Sequence, residues 1–150
     1  MCGETVEKDK RFMRAALVEA KAAFAEGEIP VGAIVECGGR IVGKGHNLTE
    51  QLNDVTAHAE MLAITAAAEN IGGKFLNDCT LYVTVEPCLM CAGAIGWSRV
   101  GRVVYGAPDS KRGYLSQVSK SPFHPKSLVT VGVLEEECRA LMQQFFKQRR

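Results

Sequence analysis

At 150 residues and 16.2 kDa the chain is sized for a single domain, 1–150, long enough to bury a core of its own. Hydrophobic residues make up 47% and charged residues 23%, as in an ordinary soluble globular protein. With 18 basic against 17 acidic residues, the net charge of +1 is not that of a general nucleic-acid binder. No apolar run approaches the roughly 20 residues of a membrane span. The charged start "MCGETVEKDKRFMR" lacks an apolar signal core, so a cytoplasmic location and no membrane partner are expected.

In chain order, residues 9–26 carry apolar side chains at 12, 13, 16, 17, 20 and 24, near helical spacing, with Gly27 as a stop. "IPVGAIVE" and "RIVGKGHN" read as two strands joined at Gly38-Gly39, a pair suited to a hairpin. The alanine-rich stretch 56–70 predicts a helix with Thr56 as N-cap. "TLYVTVE", 80–86, is rich in β-branched and aromatic residues and reads as a buried strand. Pro87 suits the first position of a helix through "CLMCAGAIGW". "RVGRVVYGA" and "SLVTVGV" are two further strands, separated by a long aperiodic loop from Pro108 to Pro125, and an amphipathic helix closes the chain. This alternation points to an α/β layered domain with helices covering one sheet.

Six cysteines stand at 2, 37, 79, 88, 91 and 138. An even number permits a disulfide framework, but frameworks belong mainly to short secreted domains. Here the cysteines are expected to be thiols or metal ligands, with Cys37, Cys79 and Cys138 as small core residues. Cys88 and Cys91 form a C-x-x-C at a helix start, a weak signal alone because redox motifs share it. "HAE", 58–60, offers a third ligand on a second helix start. Helix N-termini favour thiolate over thiol, so two of them facing one another suit zinc held by His58, Cys88 and Cys91. Three protein ligands leave a position for water, as in catalytic sites, whereas a fourth from Cys79 would make the site structural. Two thiolates cancel the charge of the ion, so the water needs a base, and Glu60 stands two residues past His58.

H-x-E followed by P-C-x-x-C is the zinc-deaminase signature. With "NDVTAHAEMLAI", "TLYVTVEPCLMCAGAI", "RVVYGAPDSK", "IPVGAIV", "GHN" and "FFKQRR", the chain resembles the bacterial tRNA-specific adenosine deaminases over almost its full length. These belong to the cytidine and deoxycytidylate deaminase-like zinc deaminases. The resemblance implies a three-layer α/β/α cytidine deaminase-like fold with a five-stranded mixed sheet, one Zn²⁺ per subunit and a homodimer. It implies hydrolysis of adenosine to inosine at the wobble position of a tRNA anticodon stem-loop. A zinc-activated hydroxide would attack C6, with Glu60 as proton shuttle. It also implies a substrate pocket shaped by Asn47, the N–H of Ala59, Pro30 and Val31, with Asp109 beside the substrate backbone. The metal motif alone is shared with deaminases of guanine, cytosine and cytidine, so a free-base or nucleoside deaminase is the alternative. A non-catalytic zinc-stabilised RNA-binding module would have no use for Glu60.

The segment "SKRGYLSQVSKSPFHP" departs from the small-residue stretch common in that family. Tyr114 and His124 could stack on bases there, although loop aromatics without such a role are commoner. Lys111 and Arg112, with Lys147, Arg149 and Arg150, could form a local phosphate-binding face. Phe145 and Phe146 are expected to be one core and one partly exposed residue, and Trp97 a packing residue at a subunit interface.

Overall fold

Helix α1 (Cys2–Ala25) leads into an antiparallel hairpin, β1 (Gly32–Cys37) and β2 (Arg40–His46), in a computed structural model that describes residues 2–149. There follow α2 (Ala59–Ile71), β3 (Cys79–Val85), α3 (Leu89–Ser98), β4 (Arg102–Ala107), a 3₁₀ turn (Tyr114–Ser116), β5 (Leu128–Val131) and α4 (Glu135–Gln148). The strands form one five-stranded mixed sheet in the order β2-β1-β3-β4-β5. β1 runs antiparallel to β2 and β3, whereas β3, β4 and β5 are parallel.

Period-two alternation sorts the strand side chains into two cores. Ile34, Tyr82 and Val104 pack with Phe12, Met13, Ala16 and Leu17 of α1 and Cys138 of α4. Ala33, Val35, Leu81, Val83, Val103 and Tyr105 face the other way, onto α2 and α3. Three layers result, as the resemblance implies. The α1 face is pinned by buried Asp9, which accepts hydrogen bonds from the Tyr82 hydroxyl (2.8 Å) and Arg102 Nη1 (2.7 Å). Arg102 Nη2 also donates to Thr130 Oγ1 at 2.9 Å, so one network ties α1, β3, β4 and β5 together. At the other edge His46 bridges Glu19 of α1 (3.0 Å) and Glu26 in the turn just past its end (2.7 Å). Burial opposes its protonation, but the two carboxylates outweigh it and raise its pKa.

The opposite layer depends on close approach. A Cβ on Gly43 would lie 2.4 Å from the Ala63 carbonyl oxygen, and one on Gly45 2.8 Å from that of Ala59. Ala59, Ala63 and Ala67, four residues apart, form the facing stripe of α2, and all are fully buried. Two small surfaces thus let α2 lie flush on β2, which fixes where its first turn points.

The elements follow the sequence pattern except at their ends. α1 begins well before residue 9. Residues 3–8 are helical but exposed, so they carry no apolar period to betray them. α2 begins at Ala59, not at Thr56, because Asp54 Oδ1 captures both the N–H (2.8 Å) and hydroxyl (2.7 Å) of Thr56 in a preceding turn. His58 takes the cap position instead, in an extended conformation. Pro87 likewise lies outside α3, whose N-cap is Cys88. Phe145 is buried and Phe146 half-exposed, as expected, while Tyr114 is buried against Tyr105 and Phe123 and so cannot stack on a base.

Gly43→Ala tests the contact that seats α2. A Cβ jammed against helix backbone should cost about 1–3 kcal/mol of stability by urea denaturation. Gly73→Ala, at a position with nothing within 4 Å, should stay within about 1 kcal/mol. Equal loss in the two variants would contradict the packing described.

Candidate metal centre

α2 and α3 start side by side, and the residues that cap them are His58 and Cys88. Cys91 follows in the first turn of α3, fully buried. Cys91 Sγ lies 3.4 Å and Cys88 Sγ 3.6 Å from His58 Nδ1. A tetrahedral ion with Zn–S of about 2.3 Å and Zn–N of about 2.0–2.1 Å requires S···N edges of about 3.6 Å. All three ligand atoms lie within 4.8 Å of one another, and they form the only such group of His, Cys, Asp and Glu among the described residues. The donor set therefore fits zinc. Cys79 cannot complete it, because it opens β3 and Cys88 lies beyond the far end of that strand, about 20 Å away. Cys79 instead pairs across the strands with Cys37, and burial pushes its thiol up to about 12.

The protonation of the cluster matches a metal site. The hydrogen bond from Cys91 brings Cys88 down to about 4 against the opposing effect of burial, with His58 assisting. Cys91 moves up, because the neighbouring Cys88 sulfur makes a second negative charge unfavourable. His58 is raised by its hydrogen bond to Cys88. A hydrogen-bonded pair of sulfurs, one driven toward thiolate and the other toward thiol, is a pair whose remaining proton a divalent cation can replace.

Glu60 occupies the first turn of α2 and is 3% exposed. Burial raises its carboxyl to about 7, while its own backbone N–H and Cys91 act in the opposite direction. A carboxyl of this kind, against the ligand cluster, can both accept and return a proton near neutral pH.

The other expected residues divide. Val31, Asn47 and the turn before α2 are linked, since Asn47 N–H donates to the Val31 carbonyl (3.2 Å) and Leu48 N–H to that of Ala57 (3.0 Å). Pro30 is buried at the centre of a tight turn closed by Val31 N–H to Ile29 O at 2.8 Å. Asn47 Oδ1 accepts from Thr49 N–H at 3.2 Å, and its amide N–H groups have no protein partner among the described residues. Ala59 is buried at the first position of α2. Asp109 caps its own loop, its Oδ1 accepting from the backbone N–H of Lys111 (3.0 Å) and Arg112 (3.1 Å). Arg149 donates to the Gly27 carbonyl and lies over the Phe145 ring at 4.5 Å, so its charge is committed to the fold. Arg150 lies outside the described residues.

A cavity of about 530 Å³ opens at the metal ligands, lined by Val55, His58, Cys88, Leu89, Met90, Lys111, Arg112 and Gln117. Its size suits a nucleoside-sized group, and its rim joins apolar side chains to two cations. None of Pro30, Val31, Asn47, Ala59 or Asp109 lines it. Val55, Leu89, Met90 and Gln117 escaped the sequence analysis, since nothing in their spacing marks them. Glu28 and Glu86 escaped it too. Each is buried and binds two loop N–H groups: Glu50 (3.1 Å) and Gln51 (2.8 Å) for Glu28, Asp109 and Leu115 (both 3.0 Å) for Glu86. A glutamate beside a proline or glycine was the only available hint.

Comparison with known proteins agrees with this centre. Residues 6–107 match the family model for the cytidine and deoxycytidylate deaminase zinc-binding region. The chain is 43% identical to the tRNA-specific adenosine deaminase of Bacillus subtilis, over 95% of this chain and 91% of that protein. It is 46% identical, over 94% of its length, to the chloroplastic tRNA(adenine(34)) deaminase of Arabidopsis thaliana, of which it spans only 12%. A solved structure from a study of A-to-I editing by tRNA:A34 deaminases superposes with a TM-score of 0.81 at 41% identity, covering 87% of this chain and 98% of that one. No described helix is long and apolar enough to cross a membrane. With the family motif, the matching fold and a three-ligand centre open on a cavity, the chain belongs to the cytidine and deoxycytidylate deaminases and is a zinc-dependent hydrolase.

Proposed function

We propose that the chain deaminates adenosine to inosine at the wobble position of a tRNA anticodon stem-loop. The observation that carries this reading is Glu60, a buried carboxyl against a three-ligand cluster, in a chain 43% identical to a tRNA-specific adenosine deaminase. His58, Cys88 and Cys91 hold the zinc, which when bound supplies a polarised water as nucleophile. Glu60 would take one proton from the attacking water and give it to N1 of the adenine, then take the proton of the new C6 hydroxyl and give it to the amino group, which leaves as ammonia. Burial keeps Glu60 near the protonation balance that both tasks require. Asn47, whose amide N–H groups have no protein partner among the described residues, and the Ala59 N–H, Pro30 and Val31 are assigned to the nucleoside by the family resemblance alone, since none of them lines the cavity. Asp109 acts from the rim, holding the loop that bears Lys111 and Arg112. An activity on tRNA accords with the cytoplasmic location expected from the sequence.

A second copy of the chain is the proposed partner. Met90, Gly93, Ala94 and Trp97, at the 3–4-residue spacing of one helix face, form an outward apolar stripe on α3, and Trp97 is 85% exposed. Met90 also lines the cavity, so the partner would sit against the RNA site.

Ammonia release should be measured on an anticodon stem-loop with A at the wobble position, beside free guanine, cytosine and adenosine. Turnover of the stem-loop is expected, and Glu60→Gln should reduce it by about 10²–10⁴-fold with zinc and fold retained. Activity on a free base but none on the stem-loop would establish the alternative, a free-base or nucleoside deaminase. In sedimentation, Trp97→Glu should convert a dimer to a monomer. An unchanged oligomeric state would remove the α3 stripe as the interface.

A further inference from the structure

Glu86 follows directly on β3 and precedes the metal ligands, and its carboxylate is turned to the 109–115 loop. It is 6% exposed, and its backbone N–H is bound to the Ala107 carbonyl at 2.8 Å, which fixes the residue between β3 and β4. Oε1 accepts from Asp109 N–H and Oε2 from Leu115 N–H, both at 3.0 Å. The two oxygens thus close the two ends of the 109–115 loop. Gly113 faces the same carboxylate so closely that a Cβ there would lie 2.1 Å from Oε2. The loop is sewn down beside this contact by Tyr114 N–H to the Pro87 carbonyl (2.9 Å) and by an antiparallel bridge between Cys88 and Gly113. Residues 86–88 therefore hold the loop and the metal at once.

What this loop carries is charge. Lys111 and Arg112 are exposed, line the cavity beside His58 and Cys88, and have no carboxylate partner among the described residues. Their backbone N–H groups are held by Asp109, whose own N–H is held by Glu86. Long flexible cations gain specificity from a fixed backbone, because only the side chain then remains to be ordered on binding.

We propose that Glu86 is a positioning residue that locks the 109–115 loop over the metal centre, so that Lys111 and Arg112 take an RNA phosphate flanking the target nucleotide. The phosphate part rests on the RNA reading above; the lock itself does not. A carboxylate is required because both N–H donors need an acceptor. Glutamine would supply one oxygen and set its amide N–H₂ against the second N–H.

The test compares Glu86→Gln and Gly113→Ala with a Lys111→Ala/Arg112→Ala double variant. For each, zinc per chain, kcat and KM on the stem-loop, the salt dependence of stem-loop binding, and the rate of trypsin cleavage after Lys111 and Arg112 are measured. Glu86→Gln should keep its zinc, cleave faster at the loop and raise KM by about tenfold, with kcat changed far less. The slope of log K against log salt should fall by about 1–2, as in the double variant, and combining the changes should add little. Zinc retained with KM, slope and cleavage unchanged overturns the proposal. If Glu86→Gln loses zinc, Gly113→Ala decides by the same readouts, since its Cβ pushes the loop off the carboxylate while Glu86 itself keeps its chemistry. If the wild type does not turn over the stem-loop, the RNA reading fails; unchanged loop cleavage in both variants then overturns the lock as well, and faster cleavage upholds it.

Discussion

Everything in this site depends on two helices that begin at the same place. His58 and Cys88 are cap residues, so neither side chain is committed to the body of its helix, and both are free to turn toward a shared ion. The positive ends of two helix dipoles meet there, which stabilises thiolate. Their convergence is not a property of either helix. α2 is seated by the glycines of β2 against its alanine stripe, and α3 by the parallel crossover from β3 to β4.

The division of labour among the ligands follows from charge. The two sulfurs are driven apart in acidity, Cys88 down and Cys91 up, because they share one hydrogen bond and a second negative charge beside the first is unfavourable. A divalent cation removes that frustration by neutralising both sulfurs, and in doing so leaves no excess charge to acidify bound water strongly. In the proposed mechanism the carboxyl of Glu60 fills that need, being buried beside the cluster and not itself a ligand. Three ligands, a buried acid and an open cavity form a hydrolytic centre, whereas a fourth ligand would have closed it.

Much of this was legible in the sequence because it is local. The C-x-x-C and H-x-E spacings place their side chains within single helical turns, and the strand and helix periods report which face is buried. Helix starts were harder: Thr56 is a good cap by type, but Asp54 two residues earlier competes for it, and only the fold decides between them. The cavity rim was illegible for a related reason. Val55, Met90 and Gln117 come from three segments with no common period, and they meet only through tertiary packing. Asp109 illustrates the intermediate case, for a loop aspartate reads equally as cap or contact, and here its oxygen is spent on the loop. Glu86 is the clearest omission, standing inside the metal motif while serving the loop above it.

The central claim is that the metal has three protein ligands and one position left for water. X-ray absorption at the zinc edge of the purified protein tests it directly. Two sulfur scatterers at about 2.3 Å, with one imidazole nitrogen and one further light atom at about 2.0–2.1 Å, are the predicted result. A third sulfur, or a second imidazole in place of the light atom, would contradict it.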